Sequence, residues 1–407
     1  MNKESLARAK ELDSSAEDTN LNLKRALAYS NDQYNDDVLL RKESLLNYFD
    51  ATDSDWNDYE WQLENRISDI ETLSDIFKLS SERYEEISKF KNKYRWAITP
   101  YYISLLDANN PADELGLMAV PCILELSDEH KGESDPMSEE FTNPAGAVTR
   151  RYPDRLIINF TNACGMYCRF CQRKRNIGET DSIQSQEVID ESIAYIRDNK
   201  NIREVLITGG DPFTLSDSQL ESCIKAVREI PHVQIIRIGT RAPATFPQRI
   251  TQKLVDMLKK YHPLYVNVHF NHPKELTADA KLACNMLADA GIPLGNQMVL
   301  LKGVNDDKHV VMELNRDLLS MRVKPYYIFQ AKKVQGATHF CCKLKDGMEI
   351  IDYLIGNTSG MAKPYFIVNA KGGRGKVPLL NPKFEYLGNG EYKLTTWENM
   401  VFDYSDH

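Results

Sequence analysis

The sequence predicts an α/β protein: a partial (βα)6 barrel with a helical N-terminal extension and a C-terminal segment. Two observations carry this expectation. From Arg155 onward short apolar runs alternate with helical stretches, the rhythm of parallel βαβ units. Residues able to do chemistry also fall just after those apolar runs, where a barrel gathers its working groups. The expected divisions are a helical extension over 1–95, a connecting cap over 96–150, the barrel over 151–340, and a C-terminal lysine and oligomerisation segment over 341–407.

The extension is dense in Asp, Glu, Lys, Asn and Ser. Leu63, Ile67, Ile70, Leu73 and Ile76 recur at near-helical intervals, so amphipathic helices are expected. Trp56, Trp61 and Trp96 read as anchors of helix packing. Residues 98–120 read as a helix, a turn at Asn109-Asn110-Pro111 and an apolar return. Composition narrows the class. With 27% charged and 42% hydrophobic residues and a net charge of −9, the 407-residue chain is no candidate for a broadly basic nucleic-acid binder. No run of some eighteen apolar residues spans a membrane, and the polar start MNKESLARAKELDSS does not suit a secretory signal. Eight cysteines, three of them clustered, read as reduced thiols of a cytoplasmic protein.

Arg150, Arg151 and Arg155 form a basic entrance to the first strand, suited to phosphate or carboxylate as well as to a solvated edge. The strand Leu156–Thr161 then opens into a loop with Cys164, Cys168 and Cys171. This C-x3-C-x2-C spacing supplies three thiolates. A [4Fe–4S] cube takes four ligands, so one iron is left for a ligand from outside the chain. Zinc recruits a fourth Cys or His nearby, and none follows within twenty residues.

The further strands expected are Val205–Thr208, Val233–Ile238, Tyr265–Phe270, Pro293–Leu300 and Pro325–Gln330. Helices are expected over Ser185–Arg197, Asp217–Arg228, Thr251–Tyr261, Ala278–Ala290 and Lys308–Leu319. Gly209-Gly210-Asp211 follows the second strand; it reads as a common turn or as a loop that lets a ligand approach the backbone. Thr240 ends the third strand, His269 the fourth, and Gln297 lies on the fifth. They read either as packed groups or as cofactor contacts.

After the expected strand Pro364–Val368 comes Asn369-Ala370-Lys371-Gly372-Gly373-Arg374-Gly375-Lys376. It lacks the spacing and the Ser or Thr of a P-loop. A flexible turn with a solvated lysine is one reading, and an imine-forming lysine for pyridoxal phosphate is the other.

The triplet after a first strand resembles the signature of radical S-adenosylmethionine (SAM) enzymes. Together RRYPDR (Arg150–Arg155), LITGGDP, IIRIGTRAP, PQRIT, VNVHFNHPKELT, GIPLGNQMVLLKGVND, KPYYIFQ and GGRGKVP resemble, in order, the lysine 2,3-aminomutase family over roughly Tyr94 to Leu380. The resemblance implies a [4Fe–4S] cluster on Cys164, Cys168 and Cys171, with SAM on the open iron. It implies SAM contacts from Gly209, Gly210, Asp211, Thr240, His269 and Gln297. It further implies pyridoxal 5'-phosphate on Lys376, with Arg151 and Arg155 at its phosphate and Arg173 at the substrate α-carboxylate.

Two departures from the family pattern follow. The lysine enzymes hold the substrate's distal ammonium with two aspartates, and Lys332 and Asn369 stand at those places here. A cation and a neutral amide repel an ammonium and suit a distal carboxylate. The expected reaction is therefore migration of glutamate's amino group from C2 to C3, giving 3-aminoglutarate. Lys333 competes with Lys332 for the distal role. The lysine enzymes also tie subunits together with zinc-binding cysteines. Asp307 replaces one, and no cysteine follows Cys342, so no structural zinc is expected. Aspartate or lysine as substrate, and a non-catalytic Fe–S protein, are the alternatives. A small reducing protein such as flavodoxin or ferredoxin is the expected electron donor, and a homo-oligomer the expected assembly.

Overall fold

A computed structural model describes residues 3–27, 31–90, 94–380 and 382–406. Nine strands form one continuous sheet in sequence order: β1 (Val148–Thr149), β2 (Arg155–Thr161), β3 (Glu204–Gly209), β4 (Ile235–Gly239), β5 (Leu264–Val268), β6 (Leu294–Leu300), β7 (Val323–Gln330), β8 (Tyr365–Asn369) and β9 (Lys376–Leu379). Neighbours from β2 to β8 pair in parallel, while β1 and β9 pair antiparallel at the two edges. The six expected barrel strands are thus β2 to β7, and the α/β partial barrel is present. The sheet also runs three strands beyond the six-fold reading: β1 pairs with β2 at one edge and, at the other, Tyr365–Asn369 pairs with β7 and Lys376–Leu379 folds back on Tyr365–Asn369.

Side chains alternate along each strand. Ile158, Phe160, Val205, Ile207, Ile236 and Ile238 are buried in one continuous core that also holds Ile193, Ile224 and Leu254 from the outer helices. Their neighbours face the opposite way: Asn159, Thr161, Thr208, Arg237, Gly239, Asn267 and Gln297 line the lumen. The outer helices start where short polar side chains satisfy the free N–H groups of a first turn. Ser185 caps Gln186–Asp198, Ser216 caps Asp217–Arg228, Thr251 caps Gln252–Lys259, Thr277 caps Ala278–Asp289 and Asp307 caps Lys308–Ser320. Asp307 therefore has a local structural task, accepting from the His309 and Val310 backbone.

The N-terminal region is helical, as expected, but the run from Leu63 to Ile76 is not one helix. It breaks after Glu64 and resumes at Ile70, and Ile67 in between bridges to Ile98. Trp56 and Trp96 are buried in a second core with Ile98, Tyr102, Leu115 and Met118, and Trp61 packs at its margin. Residues 98–120 form two short helices, Pro100–Leu105 and Glu114–Ala119, around the expected turn.

This cap grips the cysteine loop. The Arg66 side chain donates to the Cys164 carbonyl, the Tyr167 amide to the Ala97 carbonyl and the Arg169 amide to the Met118 carbonyl. Glu125, fully buried, accepts from Arg169 at 2.7 and 2.9 Å and from Lys174 at 2.5 Å. A buried carboxylate in this position is tolerable only because both cations and their own partners are satisfied. The chain ends in a separate sheet of β10 (Phe384–Gly388), β11 (Glu391–Thr395) and β12 (Val401–Ser405).

Candidate active site

One cavity of about 590 Å³ fills the lumen and opens at the strand C-termini. Cys164, Cys168 and Cys171 line one stretch of its wall, and Lys332, Asn369 and Lys376 line it too. Gly209, Gly210, Asp211, Thr240, His269 and Gln297 line the same cavity, as do Arg151 and Arg173. Every proposed site residue but one meets there. Arg155 is the exception: it pairs with Asp154 at 2.8 Å and stacks on Tyr152 at 3.8 Å, outside the lining. It shares the luminal phase of β2 with Ile157, Asn159 and Thr161 and acts on the Lys376 ammonium, but at the strand's first residue its own side chain is engaged with Asp154 and Tyr152.

At the cysteine end, the Arg241 Nη1 donates to Cys168 Sγ at 2.8 Å, while its Nη2 pairs with buried Glu275 at 2.5 Å. The Arg173 amide donates to Cys171 Sγ at 3.3 Å. Burial first, then Asp211 and the other two thiols, raises the Cys164 thiol well above its ordinary value; burial and Cys168 push Cys171 up to about 11. Such mutual repulsion means that the three sulfurs share one small region. Among the described residues no three His, Cys, Asp or Glu converge on a single-ion position. A four-iron cube takes each thiol on a different iron, so thiols that gather without meeting at one point fit it.

The glycine loop is built for close approach. Gly209 has φ +137°, and a Cβ there would land on the Thr161 carbonyl; one on Gly210 would land on that of Ala163. Asp211 is buried but occupied, accepting from Thr240 Oγ1 at 2.7 Å, the Arg241 amide at 2.7 Å and the Phe213 amide at 3.0 Å. Thr240 and Asp211 thus fix one another. Burial and then Arg241 push His269 down to about 3, so its ring is neutral and takes part only through hydrogen bonds, one of them with Asn271 at 3.1 Å.

At the far end, Asn369 closes β8, Lys376 opens β9, and the two are direct cross-strand partners. The Lys376 ammonium lies 5.5–5.9 Å from the ring centres of Tyr152, Tyr327 and Phe329. Burial, then Arg237, Arg155 and Arg151, push it down to about 8. A lysine among aromatic faces, with guanidinium groups beside it, fits a flat aldehyde-bearing ring with a phosphate. Buried Nε atoms of Arg151 and Arg237 without hydrogen-bond partners supply donors for that phosphate.

Lys332 lines the cavity, whereas Lys333 is exposed and does not. Lys332 rests over the Phe329 ring at 5.4 Å and has no carboxylate at salt-bridge distance among the described residues. Burial first, then Arg173, Arg151 and Lys376, push it down to about 7. Asn369 Nδ2 is likewise buried and unpartnered.

Sequence reasoning missed Glu139 and Arg237. Arg237 carried a readable signal, a charge at the luminal phase of an otherwise apolar strand. Glu139 carried none, since it lies in the acidic loop text SDPMSEE.

Comparison with known proteins agrees with this geometry. The Radical SAM superfamily profile matches residues 158–314. The chain is 53% identical to a glutamate 2,3-aminomutase of Clostridioides difficile (strain 630) over 371 residues, 91% of this chain and 88% of the relative. It is 46% identical to an L-lysine 2,3-aminomutase of Acetoanaerobium sticklandii over 88% of this chain and 87% of the relative. Identity is also 46% to an L-lysine 2,3-aminomutase of Clostridium subterminale, over 88% of this chain and 86% of that one.

Proposed function

Since the chain belongs to the 2,3-aminomutase family of radical SAM isomerases, we propose that its substrate is glutamate and that it carries the amino group from C2 to C3. The observation that carries this reading is Lys332 with Asn369: a cavity-facing cation without an acidic partner and a buried amide with an unused N–H. An ammonium tail placed there would meet like charge. A carboxylate tail would gain a charge-assisted hydrogen bond and satisfy the amide. The name of the 53%-identical relative agrees with this choice.

The residues divide the work along the cavity. Cys164, Cys168 and Cys171 hold the [4Fe–4S] cluster that the family carries, and the Gly209–Asp211 loop, Thr240, His269 and Gln297 surround SAM. Lys376 holds pyridoxal phosphate, with Arg151 and Arg237 at its phosphate. When bound, the cluster with SAM supplies a carbon radical that takes and returns one hydrogen atom, and pyridoxal phosphate supplies the carbonyl carbon that carries the nitrogen. The chain's own part is placement. Arg173 takes the α-carboxylate and Lys332 with Asn369 takes the γ-carboxylate, which stretches the substrate between two fixed points and presents C3 to the cysteine end. Lys376, with its ammonium pushed down to about 8, reaches the neutral amine needed for attachment near neutral pH. The barrel wall and the cap exclude water and stray hydrogen donors.

The test is substrate comparison with the reconstituted enzyme. Glutamate should give 3-aminoglutarate, with lysine turned over at least about 10²-fold less well. Equal turnover of lysine would overturn the substrate assignment and leave the family assignment standing.

A further inference from the structure

Arg173 does not approach the cavity unaided. Glu139, from the loop before β1, clasps one edge of its guanidinium: Nε lies 2.9 and 3.0 Å from the two carboxylate oxygens, and Nη2 lies 2.8 Å from Oε1. The same Oε1 is 3.4 Å from Arg151 Nη2. Glu139 is 6% exposed and lies on the cavity wall between the two arginines. Despite burial, Arg173 and Arg151 keep its carboxyl below the ordinary range, so it is an anion at neutral pH.

A guanidinium offers two edges for bidentate pairing, and Glu139 occupies the Nε–Nη2 edge. No hydrogen bond engages Arg173 Nη1 among the described residues. The outer edge is therefore left for a ligand. We propose that Glu139 is a positioning residue that fixes the rotation of Arg173, so that its outer edge receives the substrate α-carboxylate, and that holds Arg173 and Arg151 at a set separation. This rests on the reading of Arg173 as the α-carboxylate site.

Two physical needs are met at once. An arginine side chain has several rotatable bonds, and a bidentate contact demands one orientation. Two guanidinium groups on one wall also repel, and a shared anion between them removes that repulsion where water cannot. Glu139 is too firmly held from one side to act as a plug that substrate must displace, since the outer edge is already open.

The experiment compares two ligands that differ only in the α-carboxylate. 4-Aminobutyrate keeps glutamate's amino group and distal carboxylate and lacks the group that Arg173 reads. Calorimetric titration of the enzyme carrying iron and pyridoxal phosphate, without SAM, should show Glu139→Gln weakening glutamate binding by about 10–100-fold while 4-aminobutyrate changes by less than about threefold. The KM for glutamate should rise by the same factor with a smaller change in kcat, and Glu139→Asp should recover part of the loss. Iron and pyridoxal phosphate contents equal to wild type show that the variant is folded. Three results overturn the proposal: equal weakening of both ligands, unchanged binding of both, or tighter glutamate binding, the mark of a plug. A Glu139→Gln chain that fails to assemble is replaced by Glu139→Asp, for which a selective loss of glutamate binding supports the proposal and an equal loss of both ligands overturns it. If lysine proves to be the substrate, the pair lysine and 1,5-diaminopentane reads Glu139 in the same way, because the α-carboxylate is common to both amino acids. Failure of the distal assignment and failure of this one are then separate outcomes.

Discussion

The two ends of the cavity are built on opposite electrostatic plans. At the cysteine end the buried cations have found counterparts inside the chain: Glu125 holds Arg169 and Lys174, and Glu275 holds Arg241. At the far end Lys332 stands without an acid, and Asn369, Arg151 and Arg237 each keep a buried donor unused. Folded proteins rarely leave such groups unpaired, because each costs free energy on the order of 1–3 kcal/mol. The satisfied end is a rigid socket, complete before anything binds. The unsatisfied end is complementary to anions that arrive later, and the positions of its unused donors state where their charges go.

The comparison can be broken most severely at Lys376. Lys376→Ala should lower turnover by about 10⁴-fold and abolish the visible absorbance of an enzyme-held pyridoxal group, measured by spectrophotometry. Retained absorbance with full turnover would remove the far end's anchor. At the cysteine end the largest effect expected is on stability. Glu125→Ala strands two buried cations, so denaturant unfolding should show a loss of about 3–5 kcal/mol, with iron content falling as the loop loosens. An unchanged midpoint would mean that this end is less braced than its hydrogen bonds imply.

The next effect sharpens the contrast in charge. The double change Lys332→Asp and Asn369→Asp should cut kcat/KM for glutamate by about 10²-fold and raise that for lysine, read from product analysis on both amino acids. pH tests the same site more gently. Lys332 in the free enzyme is pushed down to about 7, and a bound carboxylate favours its charged form. Glutamate affinity is then fully present below pH 7 and weakens above it, by up to about tenfold per pH unit, until the raised value in the complex is passed. Binding above pH 7 should accordingly take up a proton, which calorimetry in two buffers of different ionisation enthalpy detects. The smallest effect belongs to Lys333→Ala: exposed and off the lining, it should change glutamate kinetics by less than about twofold.

The barrel was legible because its physics is local. Each strand from Leu156–Thr161 to Pro325–Gln330 is an apolar run closed by a helix cap, and the observed edges fall within about two residues of the expected ones. The cysteines, the glycine turn and Lys376 were legible because their chemistry needs particular residue types. What escaped depended on direction. Once β7 ends at Gln330 the alternation of faces no longer applies, so Lys332 and Lys333 were equivalent until the backbone placed one inside. Arg155, at the first residue of β2, keeps the luminal phase but stops short of the lining, engaged with Asp154 and Tyr152. Glu139 escaped because an acid among acids in a loop carries no periodic signal, and its partner lies 34 positions away.

The direct pairing of Asn369 with Lys376 across β8 and β9 bears on how such a pocket diversifies. The residue proposed to hold the coenzyme and one of the two proposed to meet the far tip of the amino acid are neighbours on one hairpin, yet each hangs from its own strand. On that reading the far-tip residue can be exchanged while the tether's backbone stays undisturbed, so a change of substrate leaves the attachment chemistry in place.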